Sequence, residues 1–168
     1  MKQLTPDQLQ RPELSEYKAA EKMPVCIVLD NVRSGLNVGA IFRTCDAFSV
    51  ESIYLCGITV HPPHAEILKT ALGATESVTW KSLPDTMNAI DELLASGYSI
   101  LPVEQTDHAV NLDQINLTEL FPIALIFGNE MRGVDPEVLK RCQQSIEIPQ
   151  DGIKHSLNVA TSAGIVLW

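Results

Sequence analysis

A chain of 168 residues, 45% hydrophobic and 20% charged, has the make-up of one ordinary globular domain, large enough to bury a core without disulfides or metals. No run approaches the ~18 uninterrupted apolar residues of a membrane span, and residues 1–23 lack the apolar centre of a signal peptide, so the cytosol is the expected compartment and no membrane partner is expected. The net charge of −9 speaks against an all-round basic surface for nucleic acid, but it is unevenly spread. No Lys or Arg falls between Lys81 and Arg132, where Asp85, Asp91, Glu92, Glu104, Asp107, Asp113 and Glu119 predict a solvated acidic back face. Arg33, Arg43, Arg132, Lys140, Arg141 and Lys154 lie in or beside glycine- and asparagine-rich segments, which predicts a local basic rim.

Taken in chain order, residues 1–23 read as an N-terminal extension holding a short helix, and residues 24–168 as a single domain. PVCIVLD (24–30) is a buried strand feeding the loop NVRSGLNVG, and residues 38–48 carry the helical spacing Val38, Ile41, Phe42, Cys45, Phe48. A second strand is expected at 52–57, then a proline break and a short helix ending near Gly73. A short strand at 78–80 precedes a helix with Pro84 at its start and Gly97 just past its end. Strands follow at 98–104 and 122–127, separated by a turn-like connector at NLDQI. Asp135 and Pro136 open another helix, 145–149 is the last strand, and SLNVATSAGIVLW is the closing helix with Ser156 as its cap. Strand–helix alternation of this kind specifies an α/β domain, mainly a parallel sheet with helices on both faces. Ligands of such sheets sit beyond the carboxyl ends of the strands, where NVRSGLNVG, GNEMRGV and QDGIKHSLNV should converge.

Cys26, Cys45, Cys56 and Cys142 form no C-x-x-C pair and have no His at ligand spacing, so they read as reduced thiols behaving as small hydrophobes, and no metal is expected. The glycines of GLNVG lack the third glycine of a dinucleotide fingerprint and the Gly-Lys-Ser/Thr of a P-loop, so neither NAD nor ATP is expected. Gly35 and Gly39 let backbone approach a ligand or another loop. Arg43, two turns beyond Asn37, has core-like neighbours in Phe42, Thr44 and Cys45; spacing leaves open whether it pairs with a surface carboxylate or meets an anion. Glu130 lies in a loop bracketed by Gly128 and Gly133, beside Arg132, with which it could form a plain surface ion pair. Asn158 falls one turn into the expected last helix, where Asn is a mediocre helix former, so its amide is either a satisfied core group or a ligand contact.

Together NVGAIFRT, ALIFGNEMRGV and IEIPQDGIKHSLNVATSAGI resemble, in order and spacing, the three motifs of the SpoU-type (TrmH-like) branch of the SPOUT methyltransferases, over about Val25 to Trp168. The resemblance implies a parallel sheet ending in a C-terminal trefoil knot, a homodimer with its pocket near the subunit interface, and methyl transfer from S-adenosylmethionine to a ribose 2′-hydroxyl of RNA, with tRNA favoured over rRNA. It also implies residue roles. Gly128, Ile148 and Leu157, walled by Phe127, Pro149 and Val103, would cradle the cofactor. Arg43 would position the 2′-hydroxyl, with Asn37, Glu130, Ser156 and Asn158 as a supporting polar network. The small residues Ala160, Ala163 and Gly164 would suit tight subunit packing. Gln150 stands where Met is more usual, and Thr161 and Ser162 where small apolar residues are. Two other readings compete: a non-catalytic knotted module that binds cofactor or RNA, and an unknotted monomeric doubly wound enzyme acting on a small substrate.

Overall fold

The computed structural model describes residues 1–9 and 11–168. The apolar runs at 24–30 and 122–127 form β1 (Met23–Asp30) and β6 (Ile123–Phe127), the centre of a five-stranded sheet. β2 (Val50–Cys56), β3 (Thr79–Leu83) and β4 (Ser99–Pro102) complete it in the order β3-β2-β1-β6-β4, every pairing parallel. Burial on both faces explains why these runs read as continuous rather than alternating. Along β1, Val25, Ile27 and Leu29 join one core cluster while Cys26 and Val28 join the other.

The first face is covered by α2 (Gly35–Ala47), α3 (Ala65–Ala71), α4 (Ala74–Ser77) and α7 (Val159–Leu167), which supply Val38, Ile41, Phe42, Ile67, Ala74, Ala163 and Val166. α5 (Thr86–Ala95) and α6 (Pro136–Leu139) cover the second with Ala89, Ile90, Leu93 and Val138. Full burial of the valine, leucine, isoleucine and phenylalanine side chains among these stabilises by ~1.5–3 kcal/mol each before entropy is counted. Cys26, Cys45 and Cys56 are buried, and burial pushes the Cys26 and Cys56 thiols up to about 12, so they pack as small hydrophobes. The N-terminal residues form a 3₁₀ turn (Pro6–Leu9) and α1 (Leu14–Ala19), whose Tyr17 hydroxyl donates to the Asp46 carbonyl in the last turn of α2.

The structure corrects several local expectations. The segment 145–149 is not a strand of the main sheet. β7 (Ser145–Glu147) pairs in parallel with β5 (Ala109–Asn111), a strand too short to show any periodicity. The connector NLDQI becomes a 3₁₀ turn at Leu112–Gln114, followed by another at Leu117–Leu120. α7 is capped by Asn158, which accepts from the amides of Ala160 (2.9 Å) and Thr161 (3.3 Å), and not by Ser156. Ala163 is buried against the chain's own core, so it is not part of an open packing face. Gly35 and Gly39 serve helix packing rather than a ligand: a Cβ on Gly39 would stand 2.1 Å from Thr70 Oγ1 and 2.4 Å from the Ile67 carbonyl of α3.

The predicted basic rim is thinner than the sequence implied. Arg141 is bound by Asp91 (2.8 Å) and Lys140 by Glu137 (2.6 Å), on the α5–α6 side. Glu104, expected on a solvated back face, instead sits half-buried at the carboxyl end of β4.

Candidate active site

The loops that follow β1, β4, β6 and β7 meet at the carboxyl edge of the sheet, as parallel topology requires. Those after β4, β6 and β7 enclose a cleft of about 720 Å³ lined by Val103, Phe127, Gly128, Ile146, Ile148 and Leu157 together with Glu104, Glu130, Arg132 and Ser156. That volume is in the range of small-molecule sites. Of the residues expected to cradle a cofactor, Val103, Phe127, Gly128, Ile148 and Leu157 line it; Pro149 flanks it without lining it.

Gly128 follows the last residue of β6 at the floor of the cleft. A Cβ there would lie 2.1 Å from the Val134 nitrogen and 2.2 Å from the Gly133 carbonyl carbon, so only glycine permits the loop to fold back on itself. The turn is closed by reciprocal backbone bonds between Asn129 and Gly133, at 2.9 and 2.8 Å. The Asn129 side chain fastens it further, accepting from the amides of Met131 and Arg132 and donating to the Asn31 carbonyl at 2.7 Å.

Glu130 forms the junction between segments nearly a hundred residues apart. Its carboxylate accepts from the amides of Arg33 (3.2 Å) and Ser34 (3.1 Å) and from the Asn37 side-chain amide (3.0 Å). Asn37 Oδ1 in turn accepts from Asn158 Nδ2 at 3.0 Å. Thus Glu130, Asn37 and Asn158, singled out in three motifs, form one continuous chain of hydrogen bonds, and Glu130 takes Asn37 rather than Arg132 as its partner. Ser156 lines the cleft but makes no hydrogen bond with the described residues. Arg43 is outside both groups. It is exposed on α2, makes no ion pair or hydrogen bond with the described residues, and does not line this chain's cleft.

Partial desolvation works to raise the Glu130 carboxyl, but the hydrogen bonds donated by its surroundings, including Arg33, Asn37 and Ser34, outweigh it and hold the group below the usual carboxylate range. A carboxyl depressed in the folded state contributes stability that is complete above its unfolded value of about 4.3 and lost as pH falls through the folded value. The thermal midpoint of the wild-type protein is therefore expected to exceed that of Glu130→Gln at neutral pH, and the gap to close on acidification below about pH 4. A gap that is constant down to pH 3 contradicts the ionised junction.

Beneath the site, Asp30 is 1% exposed and fully satisfied: its carboxylate accepts from Thr86 Oγ1, Asn31 Nδ2 and the Asp135 amide at 2.8 Å. Asp30, Asn31, Asn129 and Glu104 were not selected by the motifs; only the Gly-Asn pair at 128–129 hinted at a pinned turn. For an adenosyl group the lining fits: apolar walls at Val103, Phe127, Ile148 and Leu157, beside a turn that Gly128 lets fold tightly back on itself.

Comparison with known proteins agrees with this arrangement. The model of the SpoU rRNA Methylase family matches residues 24–168. The tRNA (guanosine(18)-2′-O)-methyltransferase of Aquifex aeolicus is 32% identical over 161 residues, covering 92% of this chain and 72% of that protein. Among solved structures, an AdoMet-bound rRNA methyltransferase from Sinorhizobium meliloti superposes with a TM-score of 0.80 at 28% identity, covering 88% of this chain and 55% of that one. The A. aeolicus TrmH/SpoU tRNA modifying enzyme gives 0.77 at 28% identity, over 92% of this chain and 77% of that one. The chain thus spans little more than half of some relatives and about three quarters of others. With a family match over nearly its whole length and the three motif segments joined at one cleft, the chain belongs to the SpoU rRNA methylase family.

Proposed function

We propose that the protein transfers a methyl group from S-adenosylmethionine to a ribose 2′-hydroxyl of RNA, with tRNA favoured over rRNA. The observation that carries the reading is the Glu130–Asn37–Asn158 chain, which joins the motif segments around a glycine-floored cleft. When bound, the cofactor supplies an electrophilic sulfonium methyl. Val103, Phe127, Gly128, Ile148 and Leu157 hold the adenosyl group, and the pinned 128–134 turn fixes its orientation, since alignment alone is worth ~7–11 kcal/mol of barrier. Glu130, Asn37 and Asn158 keep the three loops in register.

Arg43 orients the sugar oxygen and stabilises the charge that develops on it. A guanidinium stays protonated at any physiological pH, so it is no general base, and a substrate phosphate assists in taking the proton. Because Arg43 does not line the cleft of its own chain, the proposal includes a homodimer in which the partner subunit brings its guanidinium to this cleft. The exposed apolar side chains of Leu36, Ile165 and Trp168 on α2 and at the end of α7 support such an association. The same reading includes the C-terminal knot, in keeping with β7 pairing outside the main sheet while α7 returns to pack against α2. It also includes the cytosol, where thiols stay reduced; no helix among the described residues is long and apolar enough to cross a membrane.

The test is to incubate the protein with methyl-labelled cofactor and total RNA from cells that lack it, then map the label. The expected product is a ribose methylated at O2′ in a tRNA. Label on a base, or none in any RNA, overturns the assignment.

A further inference from the structure

Two walls of the cleft, at 127–134 and 146–148, come from distant parts of the chain, and their separation must be set by something. The residue between them is Glu104. Its backbone amide donates to the Ile146 carbonyl at 2.9 Å, and the preceding amide, of Val103, donates to Ile126 at 2.8 Å. Its carboxylate accepts from the Val134 amide at 3.0 Å and from the amide of Gln105 at 2.9 Å. Val134 is 2% exposed, so its amide has little access to water as a substitute acceptor. Gly133 opposite has φ +69°, and a Cβ there would come within 2.3 Å of Glu104 Oε2. The carboxylate thus lies directly over the turn at Gly133.

The 128–134 turn is held on its far side by Glu130 and Asn129, which reach Asn31, Arg33, Ser34 and, at the start of α2, Asn37. Among the described residues, Glu104 supplies the side-chain bond that holds it from the β4 side. We infer that Glu104, outside all three motifs, is a positioning residue for the cofactor: it fixes the spacing between the Gly128 floor and the Ile146–Ile148 wall. It does so as a hydrogen-bond acceptor toward Val134, so an amide of the same shape, with its one oxygen turned to that amide, serves and a methyl group does not. The adenosyl moiety common to S-adenosylmethionine and S-adenosylhomocysteine is the part whose fit depends on it. The inference rests on the cleft being the cofactor site.

The full-length chain carrying Glu104→Ala should bind both compounds about tenfold or more weakly by calorimetry, the loss expected when one buried amide is left without an acceptor. At saturating S-adenosylmethionine its kcat should stay within about threefold of wild type, the effect falling on KM. Glu104→Gln should restore affinity to within about threefold, since its single side-chain oxygen can take the Oε2 position and accept from Val134, leaving the exposed Gln105 amide to water. Hydrogen exchange should quicken at the Val134 amide while β1 and β6 stay protected. Should Glu104→Ala give no folded protein, Glu104→Asp, one methylene short of Val134, takes its place. Unchanged affinity in the Ala variant, loss of protection throughout β1 and β6, or a kcat defect at unchanged affinity would each overturn the inference. Failure of the cleft reading itself looks different: Gly128→Ala would then bind the cofactor as wild type does.

Discussion

Replacing Arg43 with Ala is expected to cut methyl transfer at least about a hundredfold, in line with the loss of one group that orients and stabilises the reacting oxygen. Cofactor affinity should stay within about twofold of wild type, because the side chain does not line the cleft of its own chain. The comparison is clean because Arg43 has no ion pair or hydrogen bond with the described residues whose loss would disturb the fold. Its neighbours Phe42 and Cys45, which do hold α2 to the sheet, are buried and untouched by the change. Unaltered turnover in this variant would remove Arg43 from the mechanism.

Gly128→Ala should give the opposite profile. The added methyl meets Val134 N and Gly133 C at close to 2 Å, and these are backbone atoms of a turn pinned by Asn129, Glu130 and Glu104. They cannot swing aside as a flexible side chain could, so the floor of the cleft must rise or the turn must open. Overpacking of this kind costs ~1–3 kcal/mol of stability, and cofactor affinity should fall about a hundredfold or beyond measurement, which calorimetry would register. The two variants also test each other. In mixed dimers of Arg43→Ala with Gly128→Ala subunits, one cleft combines an intact floor with a guanidinium from the partner. Activity should reappear on mixing if Arg43 acts across the interface, and stay absent if it acts within its own subunit.

The parts of this molecule that the sequence discloses are those whose physics is local or periodic. β1 and β6 stand out because both of their faces are buried, which leaves unbroken apolar runs. The Asp135–Pro136 start of α6 follows from capping chemistry, and the Asp135 side chain does accept from the Glu137 amide. Glu130, Asn37 and Asn158 were selected by motif, and the geometry supplies their relation. What was illegible depended on tertiary partners. Ser156 is the better cap for α7 by sequence, but the helix starts at Val159 because Asn158, held by a direct hydrogen bond to Asn37, caps it. Glu104 was one acid among many in a stretch without Lys or Arg, and nothing in its neighbours signals a bond to an amide thirty residues on. Spacing left the role of Arg43 open and the family resemblance singled it out, yet neither can say which subunit's cleft a side chain serves.

Asn158 uses its two side-chain atoms on different tasks: the carbonyl oxygen caps α7, and the nitrogen holds Asn37. The first turn of that helix and the polar link to Asn37 therefore share a single hinge pin, and fraying of one releases the other. The C-terminal helix and residues 31–37 should accordingly open as one cooperative unit in native-state hydrogen exchange. A ligand bound in the cleft, whose lining includes Val159 and Ser162 of that helix, would by the same coupling slow the fluctuations of residues 31–37, which lie outside the lining.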